Sequence, residues 1–355
     1  MLDPGDDLDR RRRGTIRLLL VTGLYPTPDS PTAGAFVARR VDWLRASGDD
    51  VGVIAPSTYR GSVVGRYLRL AARALGRTER VDGVEAHVLF PTGLIAWLAA
   101  RRRRVPVVVF AHGSDVAYTV WRHPILTALG RLVATRADAV VANSEVTAEF
   151  VRRLGGSPIV VSPGVDFAAF SPGPAERATL GLPEGRVALF VGNREPHKAA
   201  DLFANGVLAT PDWRGVMVSD GPSVSEDPRI ETRPNVPLLQ LPRLMRSVDC
   251  VVVPSRREGL GLVAIEALAC GTPVLSSGVG GLAEIVRQGA NGIVMRELSA
   301  EAVADGLKRL QHMDFEVQAL RESVRQHDRE RTTAQLDELW RHVLAGSKGA
   351  RRRGP

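Results

Sequence analysis

The chain has 355 residues, of which 44% are hydrophobic and 24% charged, and its 47 basic and 39 acidic side chains give a formal net charge of +8. That length accommodates two ordinary domains with sizeable cores, and the composition is that of a soluble globular protein rather than a fibrous or low-complexity one. No apolar run reaches the roughly 18 residues of a bilayer span, and the two cysteines, Cys250 and Cys270, form neither a disulfide framework nor a metal pattern, which suits a reducing cytoplasm.

In chain order, residues 1–14 read as a basic, disordered tail. IRLLLVT (16–22) reads as a buried parallel strand, followed by a long loop with two prolines that opens into a helix near Gly34 or Ala35, and then by a strand at 51–55. A basic helix is expected at 62–77, then strand 84–90, helix 93–103, strand 105–111, helix 123–136, strand 138–142, helix 145–154 and strand 158–162. The Pro- and Gly-rich stretch from Ser162 to Arg186 has no sustained periodicity and reads as an interdomain linker and hinge. The alternation restarts with strand 187–191, helix 198–209, strand 215–218, helix 240–247, strand 249–253, helix 260–270, strand 273–276, helix 281–288 and strand 292–295. Helices near 299–312, 315–326 and 330–345 follow, ahead of a basic tail at 348–355. Two successive runs of βα units imply an α/β fold of two Rossmann-like domains with a cleft at the carboxyl ends of their strands.

The most informative stretch is VVVPSRREGLGLVAIEALACGTPV (251–274), with Glu258 in a glycine-flanked turn and Glu266 in a helix that is apolar on every side. A helix start after Gly259 and Gly261 presents first-turn amides and positive dipole charge suited to a phosphate. A lone carboxylate in an apolar helix needs a partner. Glu266 is either a structural ion pair with Arg243, Arg246, Arg256 or Arg257, or the holder of a ligand's hydroxyls. The Gly278–Gly281 run should lie beside the Glu258 turn. His112 falls at the carboxyl end of strand 105–111, either as a cap residue bonded to Asp115 or as a ligand contact. Arg194 and Lys198, after strand 187–191, are solvated loop charges or, with the glycine amides, a cradle for a diphosphate.

No G-x-G-x-x-G follows the first strand, and there is no zinc spacing, P-loop, G-x-S-x-G elbow or D-x-D pair for magnesium. The metal expectation is therefore none, with phosphates neutralised by side chains and amides. Nucleic acid is not expected as a partner, because no recognition motif appears and the aromatics, at 5%, are not interleaved with the charge. Arg66, Arg69, Arg73 and Arg77 recur at helical spacing among apolar residues, a pattern that fits a solvated helix face or peripheral contact with an anionic membrane, at the inner face of the cell membrane.

These motifs together resemble the family-4 glycosyltransferases. The resemblance runs from about Arg17 to Val294 through YPTPDSPTAGAFVARRV, AHGSDV, SPGVD, VGNREPHK, SDGP, PSRREGLGLVAIEALACGTPVLSSGVGGLAEIV and GANGIV. It implies the GT-B fold, with an acceptor-binding domain at 15–165, a linker at 166–186, a nucleotide-sugar-binding domain at 187–327, and a helix at 328–347 that returns to the N-domain. It also implies retention of anomeric configuration and no cofactor, the nucleotide diphospho-sugar being the donor substrate. Position by position, the donor set would be Gly34, Asn193, Arg194, Lys198, Glu258, Gly259, Leu260, Gly261 and Glu266, and the catalytic set His112, Glu258 and Lys198. Glu266 would take the ribose hydroxyls, Lys198 the diphosphate, Glu258 a sugar hydroxyl, and His112 a place near the reacting sugar carbon; Glu284 matches a further family position. The chain departs from the pattern at Asn193, where the family has Arg, at Ala199, where it has Gly, and at Leu260, where it has Phe.

The implied function is transfer of a sugar from a nucleotide diphospho-sugar to an acceptor hydroxyl on a glycan, a glycolipid or a small metabolite. A retaining hydrolase would need carboxyl groups about 5–5.5 Å apart. The helical rise between Gly261 and Glu266 alone is roughly 7–8 Å, so Glu258 and Glu266 read as two grips on one elongated donor. Two alternatives are a catalytically silent nucleotide-sugar-binding scaffold, motivated by Asn193 and Ala199, and a GT-B nucleotide-sugar epimerase that needs no acceptor.

Overall fold

The computed structural model describes residues 15–352 apart from residues 32, 114, 221, 222 and 235. The expected N-terminal tail and residues 353–355 lie outside the described residues. The chain divides into two compact units, one running to Pro163 and taking up again at Gln335, the other spanning Gly164–Ala334.

The first unit is built on β1 (Arg17–Thr22), α1 (Ala35–Ala46), β2 (Asp50–Ile54), α2 (Val63–Gly76), β3 (Gly83–His87), α3 (Thr92–Arg103), β4 (Val107–Ala111), α4 (Pro124–Arg136), β5 (Ala139–Ala142), α5 (Glu145–Arg153) and β6 (Pro158–Val160). The six strands are parallel in the order β2-β1-β3-β4-β5-β6. Central strands such as VVVFA in β4 are buried along their whole length because helices cover both faces. Side chains alternate between those faces: Leu19, Val21, Val84 and Val109 pack on one side, and Leu18, Leu20, Val108 and Phe110 on the other. Helix starts are fixed by side-chain caps, with Ser62 accepting from Gly65 N–H and Ser144 from Thr147 N–H.

The second unit holds β7 (Arg186–Val191), α6 (Ala200–Leu208), β8 (Trp213–Val218), β9 (Ile230–Arg233), α7 (Leu241–Met245), β10 (Cys250–Val253), α8 (Leu262–Ala269), β11 (Val274–Ser276), α9 (Leu282–Ile285), β12 (Gly292–Val294), α10 (Ala300–Leu310) and α11 (Val317–Glu322). Its parallel sheet has the order β12-β11-β10-β7-β8-β9, which is the 3-2-1-4-5-6 arrangement of the dinucleotide-binding fold. Residues 164–186 pack into this unit, where Val165, Phe167, Phe170 and Leu182 are buried in its core. The last helix, α12 (Arg329–Arg352), belongs to the first unit from Gln335 onward, and Leu336, Leu339, Trp340 and Val343 cover the Leu18 and Phe110 face of the first sheet. It carries on past residue 347, so the stretch 348–352, expected in the tail, is helical.

Two structured segments were not legible in the sequence. Strand β9, IETR, carries no apolar run and exists because it adds to the edge of β8 through backbone pairing. After β4 the chain forms a π-helical turn at Asp115–Thr119 and a 3-10 turn at Val120–Arg122, and such widened turns recur at functional sites.

Candidate functional site

In an open parallel sheet, ligands bind beyond the carboxyl ends of the strands where the strand order reverses. In the second unit that point lies between β7 and β10, and the loops that leave it are 192–199 and 254–261. Lys198 ends a 3-10 turn in the first loop, and its ammonium lies 2.7 Å from a Glu258 carboxylate oxygen in the second. The hydroxyl of Ser255 donates to the same oxygen at 3.2 Å. Both charged side chains keep a minor share of their surface open, 26% for Lys198 and 15% for Glu258, so they are held by one another and remain reachable.

Arg256 straps the two loops together. Its backbone N–H donates to the His197 carbonyl at 2.7 Å, and its guanidinium reaches the Pro196 carbonyl at 2.7 Å and pairs with Asp201 at 2.8 Å. Helix α8 begins behind the Glu258 turn, with Gly261 as its N-cap in the left-handed region (φ 97°), a conformation that costs other residues. A side chain at Gly280 or Gly281 would collide with the backbone of Glu258 or of Gly259 and Leu260. The Gly278–Gly281 run therefore lies against the Glu258 turn, as its position in the sequence predicts.

Glu266 is buried within α8, 4% exposed, among Ala264, Ile265, Ala267 and Cys270. Of its candidate structural partners, Arg243 and Arg246 both pair with Glu176, and Arg256 with Asp201. Burial and the neighbouring Glu266 push the Cys270 thiol up to about 12, so this cysteine is a packing residue rather than a nucleophile. Leu260 belongs to the hydrophobic core. Asn193 turns its side chain back onto its own loop, donating from Nδ2 to Glu195 at 3.1 Å and accepting from Glu195 N–H at 3.3 Å. Burial lowers the pKa of Arg194.

In the first unit the sheet order reverses between β1 and β3. Gly34, the N-cap of α1, sits in the left-handed region at φ 64°, and any side chain there would strike the backbone of Leu24 and Tyr25. Packing of the loop on itself is sufficient reason for a glycine at this place. His112 stands just past β4. Its backbone N–H donates to Asp115 at 3.0 Å, so Asp115 fixes the main chain, while the imidazole bonds elsewhere: its Nε2 is 2.9 Å from Nδ1 of His87. His87 Nε2 is in turn 3.1 Å from Glu85, which receives Arg40 at 2.5 and 2.8 Å and the Trp340 indole N–H at 3.2 Å. Sequence reasoning missed Glu85, His87 and Arg40, and the polar contact of Trp340. A signal was present: two polar residues at i and i+2 place Glu85 and His87 on one face of an otherwise apolar strand.

Two family models match the chain, "Glycosyl transferase 4-like domain" over residues 32–164 and "Glycosyl transferases group 1" over residues 185–312. The chain belongs to the family-4 glycosyltransferases. It is 36% identical over 246 residues to the D-inositol 3-phosphate glycosyltransferase of Mycolicibacterium gilvum, a match covering 61% of this chain and 55% of that protein. The match to the enzyme of the same name from Mycobacterium tuberculosis (strain ATCC 25177 / H37Ra) is 35% identical over 271 residues, 68% of this chain and 56% of that protein. The chain thus spans a little over half the length of these curated relatives. Among solved structures, the sucrose-phosphate synthase of Thermosynechococcus elongatus superposes with a TM-score of 0.79 at 19% identity, over 93% of this chain and 100% of that one. The Anabaena protein HepE in complex with UDP-glucose gives 0.73 at 18% identity, over 92% and 100%. The fold of this glycosyltransferase chain is two-domain α/β GT-B.

Proposed function

We propose that the chain transfers a glycosyl group from a nucleotide diphospho-sugar to an acceptor hydroxyl, with retention, on a glycan, a glycolipid or a small metabolite. The observation that carries this reading is the Lys198–Glu258 pair at the point where the second sheet reverses, beside the start of α8. A family relationship and a neighbour crystallised with UDP-glucose agree with a nucleotide-sugar donor.

In this reading the donor's diphosphate takes over Lys198, with Arg194 and the amides of 259–261 around it, and Glu258 turns to a hydroxyl of the sugar. Glu266 receives the ribose hydroxyls. The bond from the anomeric carbon to the diphosphate oxygen breaks while the acceptor oxygen bonds to that carbon from the same face. The acceptor's proton passes to the departing phosphate oxygen. The second unit then contributes positioning and stabilisation of the charge that grows on the leaving group.

Removing one such stabilising group costs about 10²–10³ in turnover. Lys198→Ala and Glu258→Ala are each expected to lose transfer on that scale in an assay over a panel of nucleotide sugars, with an unchanged circular dichroism spectrum. Turnover at the wild-type rate in either variant overturns the assignment.

A further inference from the structure

Arg40, Glu85, His87 and His112 form one hydrogen-bonded line in the first unit, and the donor grip proposed above uses none of them. Glu85 is wholly buried and His87 is 2% exposed. Burial opposes the charge on Glu85, but the charge and hydrogen bonds of Arg40, with the bond from His87, outweigh it and hold the carboxyl well below the usual carboxylate range. Burial likewise pushes both imidazoles down, His112 well below the ordinary histidine value with His87 adding to the effect, so both are neutral at pH 7. Among the described residues, Asp115 is a further titratable group against this line, and it accepts the backbone N–H groups of Leu89 and His112. Phe36, Phe110 and Trp340 close the rest.

Proton counting along the line leaves one arrangement. An ionised carboxylate can only accept, so the Nε2 of His87 carries its proton. A neutral imidazole has one N–H, so Nδ1 of His87 is an acceptor, and the proton in its 2.9 Å contact with His112 belongs to Nε2 of His112. The two rings are inclined by only 7° with centroids 5.1 Å apart, the edge-to-edge geometry that points an in-plane lone pair at the partner's N–H. Nδ1 of His112 is then unprotonated, and no described residue hydrogen-bonds it. The frame is rigid: the His112 carbonyl accepts from Asn143 at 3.1 Å, and Val88, next to His87, is held at φ 83°, a region β-branched residues avoid.

We propose that Glu85 and His87 are positioning residues that lock His112 in the Nε2–H tautomer, so that its Nδ1 accepts a hydrogen bond from a ligand hydroxyl beyond the carboxyl end of β4. The identity of that ligand rests on the function proposed above; the tautomer does not. The test is long-range proton–nitrogen NMR of the full chain labelled with ¹⁵N-histidine, with His112→Gln to assign the signal. At pH 7 the His112 ring is expected as a single neutral form with a protonated Nε2 and a bare Nδ1. An Nδ1–H form or an imidazolium overturns the proposal whether or not any variant folds. In His87→Phe, which removes the acceptor, His112 is expected to show both tautomers and kcat to fall about 10- to 100-fold, the range for loss of a group that orients a functional histidine, with donor KM unchanged. Wild-type kcat in that variant with His112 in mixed tautomers also overturns it. If the expected tautomer is seen but no nucleotide sugar is turned over, the functional reading fails and the tautomer lock stands.

Discussion

The two units carry their polar site residues in opposite ways. In the second, Lys198 and Glu258 stand on loops at strand ends and each keeps some contact with solvent. In the first, Glu85 and His87 stand on β3, both buried, and Glu85 is bonded by Arg40 on α1 and Trp340 on α12. A loop-borne charge can be removed without unmaking the fold, because water replaces its partner; a strand-borne charge cannot, because nothing replaces it. One site is thus separable from stability, and the other is part of it.

That difference is broken or confirmed most directly by Glu85→Ala. It leaves the Arg40 guanidinium, whose side chain is only 11% exposed, facing a cavity, and deprives His87 and the Trp340 indole of their acceptor. Loss of one partner from a buried pair costs about 3–5 kcal/mol, against about 1 kcal/mol or less for a part-exposed pair such as Lys198–Glu258. Chemical denaturation should show a large drop in midpoint for Glu85→Ala and little for Lys198→Ala. Equal losses in the two variants would erase the distinction.

The pH dependence sharpens it further. His87 and His112 in the first unit and His197 and His327 in the second all have folded pKa values depressed by burial, His327 to about 4. An unfolded histidine titrates near about 6.5, so as pH falls the unfolded chain takes up protons first. Stability is therefore full above about pH 6.5 and is lost as pH drops toward the folded values, by up to about 1.4 kcal/mol per pH unit for each histidine. Glu85 is also depressed, but its contribution is full above about pH 4.3 and does not enter this window. Melting temperature is expected to fall between pH 7.5 and pH 5, and His327→Gln, which removes one of four contributions, should make the fall less steep. A melting temperature that is flat or rising on acidification contradicts buried, neutral histidines.

How much of this was legible follows from the period of each signal. The βα alternation was plain in runs such as VVVF and AVVA, since buried parallel strands read as continuous apolar stretches. The loop motif around Glu258 was legible because glycines and charges cluster within a few residues, and the structure brings Lys198 to it across sixty positions of chain. The Glu85 line was not, because it assembles α1, β3, β4 and α12, and although the last helix was expected back on the N-domain, nothing local announces that its Trp340 indole N–H will meet a carboxylate 255 positions away. Strand β9 and the π-turn were hidden for a related reason: both are imposed by neighbours and not by their own composition.

The smallest effect is expected at Ala199, where the family pattern has glycine. Ala199 joins the Lys198 turn to α6 with φ 55° and ψ 44°, squarely in the left-handed region, and its methyl is fully buried. Replacing it with glycine relieves about 1–2 kcal/mol of backbone strain. Against that stand about 0.8 kcal/mol for the lost buried methyl and about 0.4–1 kcal/mol for the freer unfolded chain. The terms nearly cancel, so Ala199→Gly should change stability by less than about 1 kcal/mol in either direction. The backbone conformation that presents Lys198 is the one glycine would adopt, so donor KM should also be unchanged. A severalfold fall in donor KM in Ala199→Gly would show instead that alanine distorts the turn, and that the departure from the family pattern weakens the grip on the diphosphate.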